Sequence, residues 1–213
     1  MSYLVRRINL GMWKDYCDKA VGRNSLMSRI CNYPKFDCPA DIITRGLATS
    51  GNTLSFWEIE DKSKIKDAIL AISTGITQSN LSTVYYVLFN REELEMNGIG
   101  IKQSSDDANT AVSEFKAMHH NLTNVSYYSL GHLQDLIVKK ILAGEDGKMT
   151  KGEIKPFMEE LIIENKIDYS VLSDDYLRHL KEDFKKYSDR IPNVKVKTVT
   201  CPNCSSLIEL PIV

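Results

Sequence analysis

The chain lacks the short motifs that identify the common nucleotide-binding proteins and one large class of hydrolases. It contains no Walker A sequence, no G-x-G-x-x-G sequence and no G-x-S-x-G sequence. The first two motifs use glycines so that the backbone can approach a phosphate, and the third exposes a nucleophilic serine on a sharp turn. Function therefore has to be inferred from weaker signals.

Long apolar runs are also missing. No run approaches the ~20 residues that a membrane-spanning helix needs. The first residues, MSYLVRRINLGMW, place two arginines near the start without the apolar segment that follows them in a secretion signal. We therefore expect a cytoplasmic protein with no membrane partner.

The chain carries almost no net charge, with 27 basic and 28 acidic residues. A basic surface of the kind that binds nucleic acid is thus not indicated for the chain as a whole. Residues 1–45 are mildly basic, with eight basic residues against four acidic ones, which is compatible with phosphate contact or with an ordinary solvated surface. The partner that we expect is another protein or a second copy of this chain.

Residues 52–104 read as strand, helix, strand, short helix, strand. Asn52–Glu60 alternates and is rich in aromatics, and Val84–Phe89 is a continuous apolar run, as in a strand buried on both faces. Between them, apolar residues recur at helical spacing from Ile65 to Ile72, after a capping residue, Asp61. Strands joined by such helices usually run parallel. The sequence therefore predicts an α/β fold with a small, mostly parallel sheet and crossover helices.

The rest of the chain divides by composition into a helical region and a short β-like tail. We predict an α/β core with an irregular N-terminal part at 1–104, a helical region at 105–193 and a C-terminal β-hairpin at 194–213. In the helical region, Asn109 or Thr110 begins a predicted helix that ends near Asn121. Thr150 and Glu153 form a capping box, and Ser173 caps a later helix.

The tail contains Cys201-Pro-Asn-Cys204 between two short apolar segments. This turn resembles the knuckle of a zinc ribbon or a rubredoxin-like site, and the resemblance implies that both thiolates bind one zinc ion, which prefers four ligands. The chain offers three sources for the missing pair, namely Cys31 with Cys38, His119 with His120, or Cys201 with Cys204 of a second copy. A turn held by packing alone explains the same residues.

Polar residues cluster before and within the first predicted strand of residues 52–104. Ligands of open α/β sheets collect at strand ends. An anion or a partner's backbone would bind there through the candidate binding residues Arg45, Thr49, Asn52 and Trp57. Turn formation and a structural pair of Arg45 with Asp41 account for the same pattern.

A catalytic alternative uses Asp41, Glu60 and Lys62. Pro39-Ala40-Asp41 followed by Glu60-Asp61-Lys62 loosely resembles the PD-(D/E)-x-K pattern of nucleases. That resemblance implies carboxylates that hold Mg²⁺ and a lysine beside the attacking water. Asp61 is also well placed to cap the following helix, so the pattern has a purely structural explanation.

We consider two functions. The first is a non-enzymatic interaction component, an adaptor or accessory subunit of a larger cytosolic assembly, stabilised by zinc. It rests on the missing catalytic motifs, the balanced charge and an apolar terminal segment, LIELPIV, that can add to a partner's sheet. The alternative is a metal-dependent nuclease or another phosphodiester-cleaving enzyme.

Elemental analysis of the tag-free protein tests the zinc hypothesis. We expect about one zinc ion per complete set of four ligands, because two thiolates on one turn already fix half of a tetrahedral site. Protein purified without a chelator and found to contain no zinc would contradict it.

Overall fold

One six-stranded antiparallel sheet organises the part of the chain that the structure describes. The computed structural model describes residues 2–20, 54–123, 127–193, 196–200 and 207–211. The spatial order of the strands is β4-β5-β2-β1-β3-β6. The strands are β1 (Tyr3–Arg7), β2 (Ser55–Ile59), β3 (Val84–Asn90), β4 (Gly100–Gln103), β5 (His119–Thr123) and β6 (Asp146–Met149).

Helices cover both faces of this sheet. The α-helices are α1 (Leu10–Ala20), α2 (Ile65–Ser73), α3 (Arg91–Met96), α4 (Tyr127–Leu142), α5 (Lys151–Ile163) and α6 (Asp174–Asp183). Short 3-10 helices lie at Lys62–Lys64, Ser105–Asp107, Ser113–Met118, Tyr169–Val171 and Lys185–Tyr187.

The predicted mostly parallel sheet is wrong. The strand–helix–strand unit β2–α2–β3 exists, but β1 lies between its two strands and pairs antiparallel with each of them. Because β2 and β3 are both antiparallel to β1, they run in the same direction without being neighbours. The elements β2, α2 and β3 are where the sequence predicts them, and the error lies in the pairing, because β1 separates β2 from β3 and β5 separates β2 from β4.

The described residues do not show the predicted C-terminal hairpin as one continuous element. β7 (Val196–Thr200) and β8 (Leu207–Pro211) pair antiparallel. Residues 201–206, which hold the predicted cysteine turn, lie outside the described residues.

The predicted helix that ends near Asn121 is also wrong. A 3-10 helix at Ser113–Met118 is followed directly by β5, which pairs with both β2 and β4. These two pairings involve distant parts of the chain, and they override the weak local preference for helix.

Local capping chemistry agrees with the sequence prediction. The Asp61 carboxylate accepts a hydrogen bond from the Ser63 amide at 2.7 Å, and Thr150 with Glu153 forms the capping box at the start of α5. The Ser173 hydroxyl accepts from the Tyr176 amide at 3.2 Å at the start of α6. Each cap pairs a backbone N–H that the first helical turn would otherwise leave unsatisfied.

Two hydrophobic cores lie on opposite faces of the sheet. The first packs α2, α5 and α6 against one face, and the second packs α1 and α4 against the other. Neighbouring residues of a strand point to opposite faces, so Leu4 belongs to the second core and Val5 to the first, both fully buried. Tyr176 donates a hydrogen bond to the Ser73 carbonyl at 2.7 Å and so joins α6 to the end of α2.

Edge strand β6 packs closely on β3 at Gly147. A Cβ atom at Gly147 would fall well inside van der Waals contact with the Tyr86 ring, whereas a Cβ at Gly152 meets nothing nearer than 3.9 Å. We predict that Gly147→Ala lowers the free energy of unfolding by about 1–3 kcal/mol through overpacking. Gly152→Ala, in helix α5, is predicted to leave it unchanged or raise it by up to about 1 kcal/mol.

Urea denaturation of the two alanine variants beside the wild type measures this difference. A Gly147→Ala protein as stable as the Gly152→Ala protein would show that β6 does not pack on Tyr86 in this way.

Candidate functional site

Most residues of the predicted sites lie outside the described residues. They are Cys31, Cys38, Asp41, Arg45, Thr49, Asn52, Cys201 and Cys204. The zinc hypothesis and most of the binding hypothesis accordingly stay predictions. Among the described residues, no group of three or more His, Cys, Asp or Glu side chains is arranged to hold a metal ion.

Glu60 and Lys62, two members of the predicted nuclease site, are exposed where β2 ends. Lys62 Nζ lies 5.4 Å from the centre of the Tyr3 ring, and the intervening Asp61 serves as the helix cap. Since Asp41 is outside the described residues, the nuclease hypothesis also stays a prediction.

A cluster of charged groups surrounds Glu58 on β2, two residues from Phe56 on the same face of the sheet. Ser2 Oγ donates to Glu58 Oε1 at 2.5 Å, and Arg91 Nη1 lies 3.0 Å from both carboxylate oxygens. His120 Nε2 lies 2.8 Å from Oε2. The cluster thus joins the start of β1, β2, β5 and the start of α3.

The hydrogen bonds of the Glu58 cluster indicate a structural role. His120 Nδ1 lies 3.0 Å from the Met118 carbonyl oxygen, so both ring nitrogens face acceptors and neither is left to act as a base. Burial opposes ionisation of Glu58, but hydrogen bonds from Ser2 and Arg91 and the charge of His120 hold its pKa below the ordinary value. A fully engaged carboxylate of this kind holds elements together.

A small cavity lies at the end of the sheet where β1 ends and β2 begins, and we call it the strand-end cavity. Its volume is about 180 Å³. The sheet contributes Arg6, Arg7, Ser55, Trp57 and His119, and α2 with the nearby loops contributes Ile72, Gly75, Thr77, Gln78 and Asn109. Trp57, a predicted binding residue, therefore lines a cavity, although its side chain is mostly buried and packs edge-on against the His119 ring.

His119 is held in one orientation inside this cavity. Its Nδ1 lies 2.7 Å from the Ser104 carbonyl oxygen, and only 1% of the residue surface is exposed. Burial is the largest influence on its pKa and holds it below the ordinary value, against the opposing hydrogen bond to Ser104 and the charge of Asp107. The ring is therefore neutral at pH 7, with its proton on Nδ1.

A second concave surface, which we call the helical groove, lies between α2, α5 and the 3-10 helix at Ser113–Met118. Its volume is about 430 Å³. The apolar residues that line it are Leu70, Phe115, Met118, Phe157 and Leu161, and the charged residues that line it are Lys66, Asp67, Glu114, Glu160, Glu164 and Lys166.

No protein-family model, no curated protein and no solved structure matches this chain. Among the described residues, the helices are too short or too polar for any of them to span a bilayer. The site residues are therefore interpreted from their chemistry alone.

Sequence reasoning missed the Glu58 cluster, and it named His119 only as a zinc ligand together with His120, without its place in the strand-end cavity. One signal for Glu58 was present, because it alternates with Phe56 on a face where a lone carboxylate would need a partner. His119 gave no such signal, since its position follows from the pairing of β5 with β2.

The Glu58 cluster predicts a pH-dependent contribution to stability. The folded-state pKa lies below the ordinary value of 4.5, so the contribution is complete above that pH and is lost as the pH falls through the folded-state value. At pH 7 we expect Glu58→Gln to lower the free energy of unfolding by about 1–3 kcal/mol. The difference from wild type should shrink progressively below pH 4.5.

Urea denaturation as a function of pH measures this difference, and Glu60→Gln is the control because Glu60 is exposed on the same segment. A Glu58→Gln penalty of the same size at pH 3 and pH 7 would contradict the assignment.

Proposed function

We propose that this protein is a non-enzymatic interaction component, an adaptor or accessory subunit of a larger assembly. It binds an amphipathic helical segment of another protein in the helical groove. The observation that carries the proposal is an apolar floor enclosed by charged side chains. Zinc at Cys201 and Cys204 remains part of the proposal as a stabilising element of the tail.

The floor of the groove combines a fixed base with accessible apolar side chains. Leu70, Phe115 and Leu161 are buried in the first core, while Met118 and Phe157 are only partly buried and pack against it. Partly exposed aromatic and methionine side chains are enriched at protein interfaces, and they gain most when a partner removes the remaining water. Two such side chains over a packed base support a docking surface.

The charges around the groove favour a basic partner. Four carboxylates and two ammonium groups line it. Lys166 is held between Glu114, at 3.2 Å, and Glu164, at 2.8 Å, and Lys66 lies 5.2 Å from the centre of the Phe157 ring. Glu160 is exposed and forms no ion pair with the described residues. Complementary charge of this kind speeds association and selects among partners.

The size and shape of the groove support a helical segment as the occupant. Its volume falls within the roughly 300–1,000 Å³ of ordinary ligand sites. That space accepts a few side chains spaced along one face of a helix, which is the usual way in which amphipathic helices dock between two helices. We therefore expect apolar anchors flanked by lysine or arginine.

A displayed library of helical peptides, selected against the full-length protein, tests the proposal directly. We expect enrichment of peptides with large apolar residues at i, i+3 or i+4 and a net positive charge. Fluorescence anisotropy of a selected peptide should show that Glu160→Lys weakens binding about three- to tenfold, since it removes an attraction and adds a repulsion. Phe157→Ala should weaken binding by at least tenfold.

Asp189→Lys is the matched control, because Asp189 is exposed and does not line the groove. Its peptide affinity should equal that of the wild type, and denaturation should show that Glu160→Lys is folded. Selected peptides without basic residues, or binding that is indifferent to both groove variants, would refute the groove as the docking site.

A further inference from the structure

The strand-end cavity is lined by a histidine with a hydrogen-bond acceptor that has no partner among the described residues. Donation from His119 Nδ1 to the Ser104 carbonyl leaves Nε2 unprotonated, and Nε2 has no hydrogen-bond partner among the described residues. The residue is 1% exposed and lines the cavity. Nε2 is not one of the fully buried atoms without a partner, so part of its surface is open, and a ligand in the cavity that the residue lines can donate to it.

The charges beside this acceptor favour an anion. Arg7 lines the strand-end cavity and also a neighbouring cavity of about 690 Å³, which Lys14 lines as well. The Arg7 guanidinium forms no hydrogen bond or ion pair with the described residues, and among those residues no Asp or Glu lines either cavity. An arginine without a partner beside an uncharged acceptor suits a ligand that carries both a negative charge and a proton to donate.

We propose that the strand-end cavity binds a protonated phosphate group, as free phosphate or as a phosphate monoester. Arg7 pairs with the charged oxygens, and the P–OH group donates its hydrogen bond to Nε2 of His119. A phosphate group supplies charge and donor within one compact unit, and a cavity of about 180 Å³ holds that unit with a few further atoms.

The end of α2 favours the monoanion, which carries a P–OH group in free phosphate and in a phosphate monoester alike, over the dianion. α2 ends at Ser73, and Ile72 and Gly75 line the cavity. The C-terminal end of a helix carries partial negative charge, which opposes the attraction of Arg7 for an anion and opposes a dianion more strongly than a monoanion. The neutral His119 ring also favours the monoanion. Its Nε2 accepts a hydrogen bond from a P–OH group, and an uncharged ring cannot neutralise an oxyanion.

Sulfate provides a sharp comparison, because it has the tetrahedral shape of phosphate but is a dianion that carries no proton at pH 7. Isothermal titration of the full-length protein with inorganic phosphate, glycerol phosphate and sulfate, at constant ionic strength, measures the three affinities. We expect phosphate to bind at least about tenfold more tightly than sulfate. Binding of inorganic phosphate alone identifies the free ion as the ligand, and binding of both phosphates shows that the esterified group is accepted.

Two variants separate the charge from the acceptor. Arg7→Gln should weaken phosphate binding at least about tenfold, whereas Lys102→Gln, an exposed lysine on β4, should not change it. His119→Phe should abolish the preference for phosphate over sulfate. Should His119→Phe fail to fold, nitrogen NMR of the wild type gives the same answer, since phosphate should shift the His119 Nε2 resonance and sulfate should not.

Equal affinities for phosphate and sulfate, or phosphate binding that Arg7→Gln leaves intact, would overturn the proposal. Neither result bears on the helical groove, which has no residue in common with this cavity.

Discussion

The continuity of the sheet depends on β1, five residues long, which is paired on both sides. Leu4 lies opposite Glu58 on one side and Phe89 on the other, and Val5 lies in the same way between Trp57 and Leu88. Each of the two buried residues enters a different core. Without β1, two strand edges would lose their hydrogen-bonding partner and both cores would lose a fully buried side chain.

The two ends of β1 differ in their chemistry. At its start, Ser2 binds the Glu58 carboxylate through its hydroxyl, and its carbonyl accepts from the Arg91 amide at 3.2 Å. At its end, Arg7 carries a guanidinium to the strand-end cavity. β1 therefore lies beside an ion-paired cluster at its start, and at its end it carries a cation that has no partner in the described part of the chain.

Polar groups of this protein differ in whether the described residues supply their hydrogen-bond partners. Glu58 and His120 are hydrogen-bonded to neighbours, and these bonds offset the cost of taking the partly buried carboxylate out of water. His119 Nε2, Arg7 and Glu160 lack such neighbours among the described residues. The two adjacent histidines of β5 therefore have different surroundings, because neighbouring strand residues face different cores.

Sequence pattern determined the elements whose causes are local. The stripe of α2, the apolar run of β3 and the caps at Asp61, Thr150 and Ser173 follow from spacing and side-chain chemistry within one or two turns. The strand at His119–Thr123 and the insertion of β1 were decided by pairing across the fold. A strand–helix–strand pattern is the same whether its strands are neighbours or have another strand between them. Only the tertiary structure, in which backbone hydrogen bonds join distant strands, determined the antiparallel sheet. It also placed His119 and Arg7 in the lining of one cavity.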